Sequence, residues 1–444
     1  MGAMEPIERH AWKQLAGITA LALAIRLLAA AYWQAHWPVR FFFGDSQGYW
    51  DLSQAIAHGR RYMLPGGEQI FRTPGYPLLL SPIAAWGEGP AVVFLARVEN
   101  CMIGSLSAPL AYVWARRLFS TNAAQAAAWI AALYPEAIAT NVAVLSDTPL
   151  ALLSALFLIV VTAAWQRIAG KDLHSRHAPV MACHFAIAGA LAGLTTLVHP
   201  SFLLFVPFMI GIGLLLGPLA EAASNRTAFQ VQMRHAWYCS IMLSALCLVM
   251  LPWWIRNICL TGRFVPTTLQ VGASLYDGWN PLATGGSDMR FVADFRRDMN
   301  LTSNARVDIE QEQALDRNMR AAALDWAYRH FAQAARLAGI KFLRMWNIWP
   351  NEPSFSFWPI RLAVVCGYGP VIVLALWSAW KTLRRGWVYW LCWLPAVYFT
   401  LLHTVFVSSL RYRQPAMLGL IVLAAGAVDA LRSCRAEGTA SSNA

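Results

Sequence analysis

Charge is scarce in this sequence. Of its 444 residues only 13% are Asp, Glu, Lys or Arg, where a soluble domain carries about a quarter. That scarcity excludes an ordinary soluble enzyme. With 58% hydrophobic residues and a mean hydropathy of +0.44, a polytopic membrane protein is the default. Metal-binding cysteine patterns are missing too. The eight cysteines are scattered (101, 183, 239, 247, 259, 366, 392, 434), with no CxxC and no Cys/His cluster at zinc spacing. They read as small apolar packing residues. The pseudo-repeated halves and matched broken helices of a transporter are absent. So is a basic stripe for nucleic acid. The net charge is +12, yet from Arg263 to Arg336 nine acidic side chains balance nine basic ones. The excess lies in short loops and at the chain ends, which is the positive-inside bias, and no nucleic-acid partner is expected.

What is present is long apolar runs. A helix that crosses a bilayer needs about 20 such residues. Runs near that length cover approximately 13–35, 91–115, 122–143, 148–166, 180–198, 201–217, 236–255, 359–380, 387–407 and 412–431. The pattern predicts an all-α polytopic protein with about ten spans, forming one domain over 1–444. The stretch 75–87 is shorter and holds Pro77 and Pro82, so it reads as re-entrant or interfacial. Arg9 and Lys13 inside, followed by Arg116-Arg117, Arg167-Lys171-Arg176, Arg226-Arg234, Lys381-Arg384-Arg385 and Arg432-Arg435, put both ends in the cytoplasm. The first run resembles a signal peptide near Ala29-Ala30-Ala31, but its length and the embedded Arg26 favour a retained anchor.

Two external regions remain. The first, about 36–73, contains an amphipathic pattern with Tyr49, Leu52 and Ile56 on one face. The second, about 256–358, is Gly-rich at its start. It ends in a pattern of Leu315, Met319, Ala322, Trp326 and Leu337 that predicts one long amphipathic helix at the membrane surface. Neither has the alternation of a sheet domain.

Carboxylates and cations gather on this external side. Asp45 lies in Gly44-Asp45-Ser46-Gln47-Gly48-Tyr49-Trp50 and Asp147 in Leu145-Ser146-Asp147-Thr148-Pro149. Each could be a helix N-cap; together they suit a base that takes a proton from a sugar or amine acceptor, or ligands to a divalent cation. Arg72, His199, Arg256, Arg411 and Arg413 form the cationic set. Arginines can stabilise a departing phosphate without a general acid, although headgroup contact and snorkelling are the plainer readings. Arg26, Glu99 and Glu136 fall inside spans, where an ionised group costs roughly 2.5–3.5 kcal/mol, so each should face protein or water; Arg26 is expected to pair with one of the glutamates. The cluster Trp346, Trp349, Phe355, Phe357 and Trp358 fits an aromatic belt or a polyprenyl groove.

In order along the chain, these pieces resemble the C-type (GT-C) membrane glycosyltransferases. The resemblance is to the bacterial branch related to protein O-mannosyltransferases and the aminoarabinose and galacturonic acid transferases of lipid A. It is carried by Gly44-Asp45 with Tyr49, Arg72-Thr73-Pro74-Gly75-Tyr76-Pro77, Tyr134-Pro135-Glu136, Ser146-Asp147-Thr148-Pro149, Pro252-Trp253-Trp254-Ile255-Arg256-Asn257 and Arg411-Tyr412-Arg413, over about residues 15–430. It implies transfer of one sugar, with inversion, from a polyprenyl-phosphate donor to a lipid, protein or glycan acceptor on the extracytoplasmic side of a bacterial inner membrane. On the resemblance Asp45 is the base, and Arg72, Arg256, Arg411, Arg413 and His199 surround the donor phosphate. Many relatives have a second acid directly after the aspartate. Here the neighbour is Ser46, which shifts the helper role to Asp147 or Glu68, with Tyr49 and Tyr412 as auxiliaries, and leaves a divalent metal open. The rival readings are a polymerase or ligase of polyprenyl-linked glycans and, further off, a transporter.

Overall fold

The protein is described from a computed structural model, which covers residues 9–36, 41, 43–169, 178–220, 225–301, 306–350 and 357–442. Every regular element among the described residues is helical. The first part runs α1 (Arg9–His36), α2 (Gly44–Ala57), α3 (Gly75–Ala84), α4 (Pro90–Ser105), α5 (Ser107–Leu118), α6 (Thr121–Leu133), α7 (Pro135–Val142), α8 (Asp147–Ala169), α9 (Ala178–Val198), α10 (Phe205–Ala220) and α11 (Asn225–Thr261). The second part runs α12 (Val271–Gly278), α13 (Val292–Asp298), α14 (Ile309–Arg329), α15 (Phe331–Met345), α16 (Trp358–Thr382), α17 (Trp387–Val405) and α18 (Gln414–Ser442).

Seven stretches among the described residues are long and apolar enough to cross a membrane: Ala11–His36, Pro90–Leu118, Asp147–Arg167, Ala178–Val198, Ala236–Thr261, Trp358–Thr382 and Trp387–Val405. The other three expected spans differ in form. The run 122–143 is split into α6 and α7, because Pro135 has no N–H to continue the ladder. The run 201–217 opens with a 3-10 turn, Pro200–Phe202, before α10. The run 412–431 opens with a second 3-10 turn, Leu410–Arg413, and continues as α18. The short segment 75–87 forms the ten-residue α3. At 1.5 Å per residue that is about 15 Å, half a hydrocarbon core.

Packing follows residue size. Between Ala416 and Ala427 helix α18 is buried almost all round, as expected of a helix hydrophobic on every side, and it packs on α5, α6, α8, α16 and α17. The alanines of α6 (123, 124, 127, 128, 131 and 132) are buried and allow that approach. Helix α9 meets α11 through Gly189 and Gly193, four residues apart. A Cβ at Gly189 would lie 2.1 Å from the Met242 carbonyl oxygen, the close backbone contact that small residues permit between membrane helices.

The α6/α7 break also decides the fate of Arg26, which corrects one expectation. Its guanidinium donates to the Ala131 and Ala132 carbonyls at 3.3 and 2.8 Å and to Asn141 Oδ1 at 2.7 Å, not to a glutamate. The Ala131 carbonyl would ordinarily take the amide of residue 135, which proline lacks, so the arginine supplies the missing donor.

In the first of the two regions expected to be external, Tyr49 and Leu52 are buried along α2 and Ile56 is half-buried. The second region contains two amphipathic helices where one was expected. The chain leaves helical geometry at His330 (φ −120°, ψ 44°), so that α14 packs on α12 while α15 packs on α17. Leu315, Met319 and Leu337 are buried; the buried alanine is Ala323, with Ala322 only half-covered. A capping box between Asp308 and Gln311 starts α14. Lys171, Arg176 and Phe355 lie outside the described residues.

Candidate active site

Asp45 is the second residue of α2. The N-cap is Phe43, which makes no side-chain cap, so the carboxylate is free of that duty. It bridges two arginines instead. Arg72 Nη2 stands 2.5 Å from Oδ1, and Arg411 Nη2 stands 2.7 Å from Oδ2. Asp45 keeps 31% of its side chain exposed, whereas Arg72 and Arg411 keep 15% and 18%, so the acid is the most accessible member of the cluster. Burial pushes the Asp45 carboxyl up, but Arg72 and Arg411 more than offset it and hold the group well below the usual carboxylate range.

Each guanidinium is set by further contacts. Arg72 Nη1 donates to Gln270 Oε1 at 3.1 Å and lies 5.0 Å over the Tyr49 ring and 5.3 Å over the Phe71 ring. Arg411 Nη2 also donates to the Tyr412 hydroxyl at 3.0 Å, and its guanidinium faces the Tyr412 and Phe43 rings. Tyr412 in turn stacks on His403 with ring centroids 4.3 Å apart and an interplanar angle of 2°. Asp147 opens α8, 5% exposed, with Oδ2 3.9 Å from Arg411 Nη1. Next to it Ser146 Oγ lies 2.9 Å from the Tyr49 hydroxyl. A cavity of about 50 Å³ starts at Asp147 and runs between α7, α8 and α18 past Asn141, Thr148 and Gln414.

The structure therefore brings Asp45, Asp147, Arg72, Arg411, Tyr49 and Tyr412 together. His199 lies near enough for Arg72, Arg411 and His403 to act on its charge. Burial first, then those neighbours, push its pKa down to about 3, which favours the neutral ring. Its Nδ1 accepts from the Ser201 amide at 3.4 Å, capping the 3-10 turn.

Three expected members are engaged elsewhere. Arg413 is fully buried, with Nε 3.0 Å from Glu136 Oε2, Nη2 on Glu136 Oε1, and Nη1 on the Met345 and Asn347 carbonyls. Arg256 lies over Trp253 and Tyr62 and donates to the Tyr62 and Gln69 carbonyls at 3.2 and 3.1 Å. Glu68 faces Arg296 at 3.4 Å. Gln270 and His403 were missed in the sequence. Neither belongs to a motif, and a polar residue between apolar runs carries no signal of its partner.

The donor set does not fit a resident divalent cation. Each Asp45 oxygen is on a guanidinium, and no three His, Cys, Asp or Glu side chains converge among the described residues. The arrangement suits an anion that can take over the arginines.

No protein-family model matches the chain, and no curated protein matches it in sequence. Solved structures match its fold. The archaeal oligosaccharyltransferase AglB from Archaeoglobus fulgidus, in complex with an inhibitory peptide and a dolichol-phosphate, aligns at a TM-score of 0.60 and 15% identity, over 96% of this chain and 52% of that one. The apo Archaeoglobus fulgidus oligosaccharyltransferase aligns at 0.58 and 17% over the same shares, 96% and 52%. ArnT from Cupriavidus metallidurans bound to undecaprenyl phosphate aligns at 0.44 and 15%, over 93% and 78%, too loosely to build on. The chain spans about half the length of the oligosaccharyltransferases.

Proposed function

We propose that this chain, which has the fold of the C-type membrane glycosyltransferases, transfers a single sugar from a polyprenyl-phosphate donor to an acceptor on the extracytoplasmic side of a bacterial inner membrane. The observation that carries the reading is the partly exposed Asp45 carboxylate lying between Arg72 and Arg411. The dolichol-phosphate bound by the archaeal protein of like fold supports a polyprenyl phosphate as the carrier.

The chemistry needs a base on the acceptor and a stabiliser for the leaving group. As the acceptor oxygen or nitrogen attacks the anomeric carbon, its proton passes to Asp45, and the carbon–oxygen bond to phosphate breaks. The electron pair leaves on polyprenyl monophosphate. In the free protein Asp45 is too tightly paired to be a good base. A donor phosphate competes for the same two guanidiniums. Once they turn to the phosphate, the carboxylate is left partly buried beside a negative group, and both effects raise its proton affinity. Donor binding thus converts a charge-matching placeholder into the base. Arg72 and Arg411, already set by Gln270 and Tyr412, stabilise the phosphate charge as the bond breaks. Asp147, 3.9 Å from Arg411, limits the net positive charge of the site and lines the cavity that it shares with Asn141, Thr148 and Gln414.

The reading is tested in proteoliposomes with radiolabelled polyprenyl-phosphate sugars. Label moving to an external acceptor, with release of the polyprenyl monophosphate, supports it. Release of a polyprenyl pyrophosphate would replace it with block transfer by a ligase. Label crossing the membrane without a new bond would replace it with transport.

A further inference from the structure

The segment that carries Arg72, between α2 and α3, has no regular structure, yet its backbone is tied down from several sides. Both carboxylate oxygens of Glu312 on α14 accept its amides, Gln69 N at 2.7 Å and Ile70 N at 3.0 Å. Arg256 of α11 holds the Tyr62 and Gln69 carbonyls. The Leu269 amide donates to the Ile70 carbonyl at 2.9 Å, and the Val307 amide to that of Gly66 at 2.8 Å. Gly67 permits the last approach: its φ is +101°, and a Cβ there would lie 2.3 Å from the Val307 carbonyl oxygen.

One turn beyond Glu312, Asp316 Oδ1 accepts the Gly272 amide at 2.6 Å. Gly272 follows by two residues Gln270, whose side chain holds Arg72 Nη1. A single helix thus grips both the segment bearing Arg72 and the segment bearing its side-chain partner. Glu312 and Asp316 are buried, at 3% and 5% exposure, and neither is paired with Asp45.

We infer that Glu312 and Asp316 are positioning residues for phosphate binding, two carboxylates one helical turn apart that fix the Arg72 guanidinium through backbone amides. The inference rests on the glycosyl-transfer reading only for the identity of the phosphate. Two amides converging on one carboxyl group require it unprotonated, since a proton or an NH₂ would face an N–H. The charged groups facing Glu312 are Glu68 on the tied segment, itself held by Arg296 of α13, and Arg256 of α11. Burial pushes the Glu312 pKa up to about 7, against the pull of the two amides. The grip is therefore complete above that pH and loosens as the external medium becomes more acidic.

The test uses the full-length protein in nanodiscs and undecaprenyl phosphate as probe. Glu312→Gln should raise its Kd by about tenfold or more, because a small displacement of a binding group is costly. The same change should speed amide exchange at Gln69 and Ile70. Exposed Glu310→Gln is the control and should do neither. Wild-type Kd should rise as pH falls from 8 to 6, and this dependence should flatten in Glu312→Gln. Unchanged Kd and exchange would overturn the inference. A weaker Kd with an unaltered pH dependence would reduce Glu312 to a structural residue and overturn it equally. If the wild type does not bind undecaprenyl phosphate, the donor reading falls. The inference is then decided by a thermal double-mutant cycle of Glu312→Gln with Arg72→Ala: non-additive effects support it and additive effects overturn it.

Discussion

Asp45 Oδ2 and Arg411 Nη2 lie 2.7 Å apart, although 366 positions separate the two residues in the chain. The contact joins α2 to the 3-10 turn that opens α18. With Arg72 on its other oxygen, Asp45 occupies the place of a small anion. A carboxylate that holds a phosphate's position should yield it when a phosphate arrives.

Asp45→Asn should lower sugar transfer by about 10²–10⁴, the usual contribution of a general base. The same variant should bind undecaprenyl phosphate more tightly than wild type, because it removes the competing carboxylate. Radiolabel transfer and a binding isotherm measure the two effects, and a weaker Kd would sink the placeholder mechanism. The pH sign can be worked out. A folded pKa below the unfolded value of about 3.9 gives stability that is present above 3.9 and lost only as pH falls through the lower folded value. Between pH 8 and 5 Asp45 itself stays ionised, so any change at its pairs in that range should come through the Glu312 grip on Arg72 and be lost in Glu312→Gln.

Arg411→Lys and Arg72→Lys keep the charge but lose the fork that reaches two partners at once. Each should raise the apparent KM for donor about 10- to 100-fold, matching the loss of about 1.5–3 kcal/mol for a hydrogen bond to a charged group. An unchanged KM would remove that arginine from the phosphate site.

Arg413 should behave differently from Arg411, two residues before it. Arg413→Met leaves the buried Glu136 with Tyr134 and Gln414 but no cation, a change that costs about 3–5 kcal/mol of stability. Pairing it with Glu136→Gln should restore most of that loss. Thermal unfolding of the single and double variants measures both, and the double variant should keep wild-type donor affinity.

His199 should contribute no inflection to a rate profile between pH 5 and 8, because its folded pKa is near 3. It should affect stability instead. With a folded value below the unfolded 6.5, the unfolded chain takes up the proton first, so stability falls as pH drops below 6.5. The apparent Tm should be lower at pH 5 than at pH 7, and His199→Gln should reduce that difference.

Gly189→Val should separate α9 from α11, since the added carbons meet the Met242 carbonyl. The loss should appear as lower yield and lower thermal stability of the detergent-solubilised protein. A control at Gly17, where a Cβ meets nothing within 4 Å, should be tolerated.

Much of the fold was legible in the sequence, and the site only in part. The motif holding Asp45 and the one holding Arg72 lie in one stretch between the first apolar runs, so their proximity was readable. Arg411 and Arg413 looked equivalent. In a 3-10 turn residues two apart point about 240° from one another, so one faces Asp45 and the other Glu136. Arg256 carries the same charge, but it lies over Trp253 and Tyr62 and donates to backbone carbonyls. Glu312 of α14, which ties down the Arg72 segment, carries no signal in the sequence, because nothing local points to a backbone amide more than 240 residues away.

Sequence alone determined that the chain is a set of apolar helices with two longer, more polar regions between them. Apolar run length is a local property, and in hydrocarbon a helix satisfies its own backbone bonds. Only the tertiary structure decided which charged side chains meet. Pairing depends on where distant helix ends converge, and a carboxylate or guanidinium in a partly buried mouth takes whichever opposite charge or carbonyl the packing brings within about 3 Å.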